Sequence, residues 1–259
     1  MDLLFKNFST GYEGNLIISD LNFKIKSGEW IGIIGSNGSG KSTLLKGISK
    51  IIPIQSGDIL LNNESIRALS TKEIAKIVSY LPQKINSNLP ITVKELVSLG
   101  RSPHKYFWEF DLNKQDVSII NDALDLCNLN KYSNSLLSSL SGGQCQRAYL
   151  ALTIAQKTKI VLLDEPTTFL DINFQLQMLD LIKNLNKKNN LTIISVIHDV
   201  NLAARYCDRL AVFKRGELIA IDEPIKALSK EIIKEAFSVE SSNVDTPVGK
   251  QICAIKSIN

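Results

Sequence analysis

Residues 35–43 read GSNGSGKST, and within them Gly35, Gly40, Lys41 and Ser42 fit the phosphate-loop spacing GxxxxGK[ST]. Each residue type has a task at that spacing. Glycines let backbone N–H groups close around phosphate oxygens, a helix start adds a favourable dipole, Lys41 can reach the outer phosphates, and Ser42 can ligate Mg²⁺. The ligand these residues imply is a nucleoside triphosphate, since a bare glycine turn gains nothing from the Lys41 cation. Further on, Asp164 and Glu165 close the apolar run IVLL, at the carboxyl edge where ligands of open parallel sheets lie. Two adjacent carboxylates suit divided labour, with Asp164 supporting Mg²⁺ through water and Glu165 polarising an attacking water as general base. Read alone, the pair could instead cap a helix. His198 follows the run TIISVI. A single histidine there is either a satisfied core residue or a third group delivered to the same edge.

The stretch SLSGGQCQR, residues 139–147, is unexpected beside a phosphate loop. Its serine and two glycines precede a helical pattern and make a second anion-binding helix start. By itself it could be no more than a helix with a capping serine.

These residues need strands and helices to hold them. Leu21, Phe23 and Ile25 alternate with Asn22, Lys24 and Lys26, the period of a half-buried strand, and the turn Ser27-Gly28 closes it. A small antiparallel sheet is expected to begin the chain. Residues 30–34 are continuously apolar, as in a strand covered on both faces, and 41–48 read as a helix, so the glycine loop joins strand to helix. The apolar runs 160–163 and 191–197 are separated by Ile172, Leu176, Leu179, Ile182 and Leu185 at helical spacing. This predicts a βαβ unit in a parallel sheet. Between about 84 and 157 the pattern turns helical, in VKELVSLG, DVSIINDALDLC and QRAYLALTIAQ, a helical insertion in the sheet domain. Residues 209–221 read as a hairpin turned at Arg215-Gly216, followed by a tail short for a further domain.

Composition narrows the class. The 259 residues are 44% hydrophobic and 22% charged, enough apolar material for one large domain. The longest uncharged apolar runs fall far short of the ~18 residues of a membrane-spanning helix. The start, MDLLFKNFST, lacks a basic region leading into an apolar stretch, which predicts no signal peptide and a cytosolic chain. The cysteines Cys127, Cys145, Cys207 and Cys253 are scattered and form no CxxC pair, consistent with free thiols and no thiolate metal site. The net charge of +4 comes from dispersed lysines, which argues against a nucleic-acid surface.

Taken together these residues resemble the ATP-binding cassette family, over nearly the whole chain. The resemblance implies a phosphate-loop nucleotide-hydrolase fold: an α/β core with a mixed, mainly parallel sheet, an N-terminal antiparallel β part and an inserted helical part. It makes 1–259 one ATPase domain, with a nucleotide core in 1–83 and 158–259 and a helical subdomain in 84–157. Gly35, Ser36, Asn37, Gly38, Ser39, Gly40, Lys41, Ser42 and Thr43 become the Walker A loop. Gln83 in YLPQ becomes the Q-loop glutamine, joining Ser42 and Asp164 around Mg²⁺. Ser141, Gly142, Gly143 and Gln144 belong to the family signature, IVLLDE is the Walker B strand, Asp171 the D-loop aspartate and His198 the switch histidine. Tyr12 stands where the family places an aromatic that stacks on adenine; core packing is its other reading. In the family two subunits bind head to tail, each ATP lying between one Walker A loop and the other subunit's signature.

TVKELVSLGRSPH and VIHDVNLAARYCDRLAVFKRGELIA look most like the ATPases of importers for iron-siderophores, haem and vitamin B12. That likeness implies two membrane permease subunits, indirectly a substrate-binding protein, no nucleic acid, and a place on the cytoplasmic face of the membrane. Its rivals are an ATPase of another transporter class and a cassette that closes on ATP as a switch or scaffold; Glu165 and His198 favour hydrolysis. Ser36, Cys145 and Phe169 depart from common family wording. His104 with Tyr106, Phe107 and Trp108 lies where the family docks its permease, though loop packing accounts for them equally.

Overall fold

The computed structural model describes residues 1–259 apart from Phe107, Trp108, Phe110, Phe169 and Asn259. Strands β1 (Leu3–Tyr12) and β2 (Asn15–Ile25) form an antiparallel hairpin. The alternation read from Leu21, Phe23 and Ile25 is present, with these residues buried and Asn22 and Lys24 exposed. After a turn the chain enters β3 (Trp30–Gly35) and α1 (Lys41–Ile48). It then returns through β4 (Ile54–Leu61) and β5 (Glu64–Ser65) to complete an antiparallel sheet ordered β2-β1-β4-β5. Helix α2 (Thr71–Ile77), started by a Ser70/Glu73 capping box, runs directly into β6 (Val78–Leu81). Helices α3 (Val93–Ser98), α4 (Lys114–Leu126) and α5 (Gly142–Ala155) follow, as the helical patterns between 84 and 157 predict. The chain then alternates through β7 (Ile160–Asp164), α6 (Ile172–Asn189), β8 (Thr192–Val196), α7 (Val200–Tyr206) and β9 (Arg209–Lys214), and turns at Arg215-Gly216 into β10 (Glu217–Asp222). Short helices α8 (Pro224–Ala227) and α9 (Lys230–Phe237) lead to a terminal hairpin of β11 (Val239–Thr246) and β12 (Gly249–Ser257).

The larger sheet has the order β10-β9-β3-β8-β7-β6. Every neighbouring pair in it is parallel except β9 with β10. Its central strands look continuously apolar because each face meets a different core. Trp30, Val161, Leu163 and Ile193 pack with the helices on one side. Ile31, Ile33, Ile160, Leu162 and Ile194 pack on the other side with Leu44 and Leu45 of α1 and with Phe5 and Phe8 of the small sheet. The period of two survives inside an all-apolar run, distributing residues between two interiors.

Two features differ from expectation. Strand β6 carries no sequence signal: its four residues follow α2 without a breaker, and parallel pairing with β7 alone makes them a strand. Ile172 fits the apolar face of α6 by spacing yet is 77% exposed, whereas Met178, Leu179, Ile182 and Leu185 are buried. The first turn of α6 starts beyond the carboxyl ends of the strands and has no sheet to cover it.

Two polar ties hold the peripheral parts. The Asn201 side chain on α7 pairs with the backbone of Ile252 on β12, accepting from its N–H at 2.7 Å and donating to its carbonyl at 3.2 Å. In the helical part, the buried Arg101 guanidinium donates from Nε to Asp116 at 2.8 Å and from Nη1 to the carbonyl of Ala155 at 2.7 Å. It thereby joins the segment after α3 to α4 and the end of α5. Burial pushes the Asp116 carboxyl up, but the hydrogen bond and charge of Arg101, with Lys105 behind them, outweigh it and hold the group below the usual carboxylate range. Asp116→Ala strands Arg101 as an uncompensated buried cation and is expected to cost about 3–5 kcal/mol. Because the folded pKa is depressed, the carboxylate's contribution is fully present above its unfolded value of about 4 and is lost as pH falls through the folded one. The Tm difference between wild type and Asp116→Ala, followed by thermal unfolding, should therefore hold near neutrality and shrink in acid. A pH-independent gap would refute the ion pair as its source.

Candidate active site

The loop between β3 and α1 is shaped by backbone that only glycine accepts. Gly35 has φ 151°, and a Cβ there would lie 2.2 Å from the carbonyl oxygen of Phe213 on β9. Gly40 (φ 93°) precedes α1 with no side-chain cap, and the first turn of α1 carries no acidic residue. The opening N–H groups of the helix are therefore left to an external acceptor. Behind the loop, the N–H of Gly216 in the β9–β10 turn donates to the carbonyl of Ser39 at 3.1 Å.

Three features of this cradle fit a bound polyphosphate. Lys41, 7% exposed, folds its ammonium onto the loop's own carbonyls, donating to Gly35 at 2.8 Å and Ser36 at 2.9 Å. Burial lowers its pKa, against the opposing charges of Glu165 and Asp164. The Ser39 hydroxyl is buried with no hydrogen-bond partner among the described residues, an arrangement that costs free energy until an acceptor arrives. Gly38 faces open space, with nothing within 4 Å of where a Cβ would stand.

Strand β7 delivers the acids. Asp164, its last residue, accepts from the Ser42 hydroxyl at 2.9 Å through Oδ1 and from the Tyr80 hydroxyl at 3.0 Å through Oδ2. Burial pushes the Asp164 carboxyl up, and those two bonds pull against it. Burial and the neighbouring Asp164 likewise push the Tyr80 phenol up, so it remains a donor. Glu165 turns out of the strand with φ +50°, its N–H donating to Val196 of β8 at 3.2 Å and its Oε2 accepting from Thr168 at 2.9 Å. A non-glycine residue in the left-handed region costs of order 1–3 kcal/mol. Here that conformation swings the carboxylate off the strand.

One cleft of about 550 Å³ is lined by Asn37, Gly38, Gly40, Lys41, Ser42 and Thr43 of the loop together with Glu165, Gln83, His198 and Tyr12. Gln83 arrives from the end of β6 and His198 from the end of β8. Tyr12 is 42% exposed, its hydroxyl 3.3 Å from the Lys46 ammonium, so its ring lies on the cleft wall outside the core. Among the described residues no three His, Cys, Asp or Glu side chains cluster as a metal cage. Ser42 and Asp164 together suit Mg²⁺, which is held through one or two protein groups and substrate phosphates.

The second glycine-containing helix start stands elsewhere. Ser141 caps α5, and its hydroxyl accepts from Gln144 N–H at 3.3 Å while the Gln144 side chain accepts from Ser141 N–H at 2.9 Å. Ser141, Gly142, Gly143, Gln144 and Asp171 do not line the cleft. Asp171 caps α6 by accepting from Phe174 N–H at 2.9 Å. A Cβ on Gly143 would lie 3.5 Å from Leu170 and 3.8 Å from Phe174, so the starts of α5 and α6 adjoin. Cys145 is buried. His104 binds the carbonyl of Gln156 at 2.8 Å and Tyr106 is 61% exposed; Phe107, Trp108 and Phe169 lie outside the described residues. Sequence reasoning missed Tyr80 and Thr168, whose only prior signal is their position three residues from Gln83 and Glu165.

Residues 18–168 match the ABC transporter family. The chain is 47% identical to the petrobactin import ATP-binding protein FpuC of Bacillus anthracis, over 86% of this chain and 82% of that protein. It is 40% identical to the iron(3+)-hydroxamate import ATP-binding protein FhuC of Bacillus subtilis (strain 168), over 94% of this chain and 90% of that protein. It also superimposes, with a TM-score of 0.74 and 28% identity, on a dimeric ATP-binding cassette in a post-hydrolysis state with ADP and Pi bound, covering 86% of this chain and 98% of that one. With a phosphate cradle, paired acids and this extent of likeness in one molecule, the chain belongs to the ABC transporter family and is one of its ATPase subunits.

Proposed function

We propose that this chain is the motor of an importer for a ferric siderophore or related metal chelate, and that it hydrolyses ATP in the cleft above α1. The observation that carries the hydrolytic reading is the meeting of Lys41, Ser42, Gln83, Glu165 and His198 around one cleft. The siderophore reading is supported by the two relatives named above, which import petrobactin and iron(3+)-hydroxamates. In this account the backbone of 35–43 and the Lys41 ammonium bind the phosphates. Tyr12 stacks on the base. Ser42 and Asp164, with Gln83, hold Mg²⁺, whose charge offsets that on the phosphate oxygens. Glu165 takes a proton from the attacking water as general base, and His198 supplies a ring nitrogen at the terminal phosphate. Thr168 keeps the Glu165 carboxylate oriented until water and nucleotide are in place.

The same account assigns 1–83 and 158–259 to the nucleotide core and 84–157 to a helical subdomain that meets the permease. Ser141, Gly142, Gly143 and Gln144, which do not line the chain's own cleft, serve the nucleotide of a second copy, with Asp171 beside them at the contact between copies. The apolar first turn of α6, where Ile172 is 77% and Phe174 38% exposed, supports a surface covered by that copy. Two permease subunits and a substrate-binding protein complete the system, placing the motor at the inner face of the membrane. No helix among the described residues is long and apolar enough to cross it.

Three measurements test this. Phosphate release by Glu165→Gln should fall by roughly 10²–10⁴ with ATP affinity retained; unchanged turnover removes Glu165 as the base. For the two-copy site, Lys41→Ala and Ser141→Arg chains, each also carrying Glu165→Gln, should trap no nucleotide separately. Mixed, they should recover trapping, because the heterodimer gathers both faults into one site and leaves the other sound. Mixed dimers that trap nothing would exclude the head-to-tail arrangement. Finally, co-expression with the permease genes adjoining its own should carry the chain into the membrane fraction, and absence from it would count against the importer.

A further inference from the structure

The two oxygens of Asp164 have separate donors on separate elements. Ser42 at the start of α1 donates to Oδ1 at 2.9 Å, and Tyr80 on β6 donates to Oδ2 at 3.0 Å. Asp164 is 2% exposed, so water is no ready substitute for either donor, and a buried carboxylate oxygen without one is costly. Register explains how a residue on the neighbouring strand reaches it. Tyr80 lies opposite Leu162 of β7, and Asp164 is two residues further along on the same face. A two-residue step along a strand is about 6.6 Å, which a phenol spans and a serine or threonine does not. Phenylalanine would fill the same space, as Phe5, Phe8 and Phe23 do elsewhere on this side of the sheet. What tyrosine adds is the hydroxyl, and the hydroxyl goes to Asp164.

The donors are not equivalent in the reaction. Ser42 is itself assigned to the divalent cation, its hydroxyl oxygen offering a lone pair to the cation while its O–H donates to Oδ1, whereas Tyr80 has no such second task. We propose that Tyr80 is a positioning residue for the metal site, holding Asp164 by Oδ2 so that Oδ1 stays presented toward Ser42 and the cation. This rests on the assignment of Ser42 and Asp164 to the metal. The same bond anchors the strand that leads through Leu81 and Pro82 to Gln83, so the third residue assigned to the metal leaves from a strand fixed to the first acid.

The test compares wild type, Tyr80→Phe and Ser42→Ala with a non-hydrolysable ATP analogue, so that turnover plays no part. Analogue affinity is measured in EDTA by displacement of a fluorescent nucleotide, and Mn²⁺ affinity of the analogue-saturated protein by electron paramagnetic resonance. Tyr80→Phe should keep its metal-free affinity within about twofold and lose about tenfold in Mn²⁺ affinity, the scale of one hydrogen bond to a charged group. Unchanged Mn²⁺ affinity in Tyr80→Phe, with a loss in Ser42→Ala, overturns the role of Tyr80 and leaves the metal assignment standing. Unchanged Mn²⁺ affinity in both variants overturns the assignment as well. Equal losses with and without metal reduce Tyr80 to packing and overturn the proposal. In an Asp164→Asn background, Tyr80→Phe should add no further Mn²⁺ penalty; a full additional tenfold loss there shows that the hydroxyl does not act through Asp164.

Discussion

The larger sheet is covered on both faces, and that single constraint arranges the rest of the molecule. The central strands carry apolar side chains along most of their length, because each face is an interior, and a hydroxyl such as Ser195 is kept there by a partner, the Trp30 indole N–H that donates to it at 2.7 Å. Their charged groups are confined to the ends. At the carboxyl end the strands stop against loops: Gly35 at the tip of β3, Asp164 at the tip of β7, His198 beyond β8, Gln83 beyond β6. Chemistry gathers there because everywhere else along these strands a charge would be buried without a partner. The antiparallel sheet contributes by closing over α1, so that Tyr12 at the end of β1 reaches the rim of the same cleft.

Local grammar accounts for much of what was legible in advance. The phosphate loop is contiguous, and its strand, glycines, lysine and helix are all written within a few residues, so both conformation and ligand class could be read. The βαβ unit of β7, α6 and β8 was equally plain from periodicity. Strand β6 was not, because four residues beside an existing helix carry no period of their own; the exposed edge of β7 decides their state. Ile172 failed for a related reason. Periodicity says which way a residue points but not whether anything lies in that direction.

The same distinction separates the site residues found from those missed. Asp164 and Glu165 end an apolar run and announce themselves. Tyr80 reaches Asp164 across 84 positions of sequence, and the Gly216 N–H supports Ser39 from still further away. Contacts of that kind exist only after the strands have paired. The Ser141 helix start shows the converse: it was legible, yet within one copy its capping groups satisfy each other and it does not line the chain's own cleft.

Position 165 is where the needs of folding and of work diverge. Its backbone is left-handed, a conformation that glycine or asparagine adopts at little or no cost and glutamate does not. Selection for durability alone would favour replacing the carboxylate. Under the proposed role of Glu165 as general base, selection for turnover keeps it. A descendant used only as a clamp, closing on nucleotide without consuming it, would be released from the second pressure while still feeling the first. Loss of the acid would then be a downhill step, and the lineage would drift toward a sturdier, idle cassette with its cradle intact.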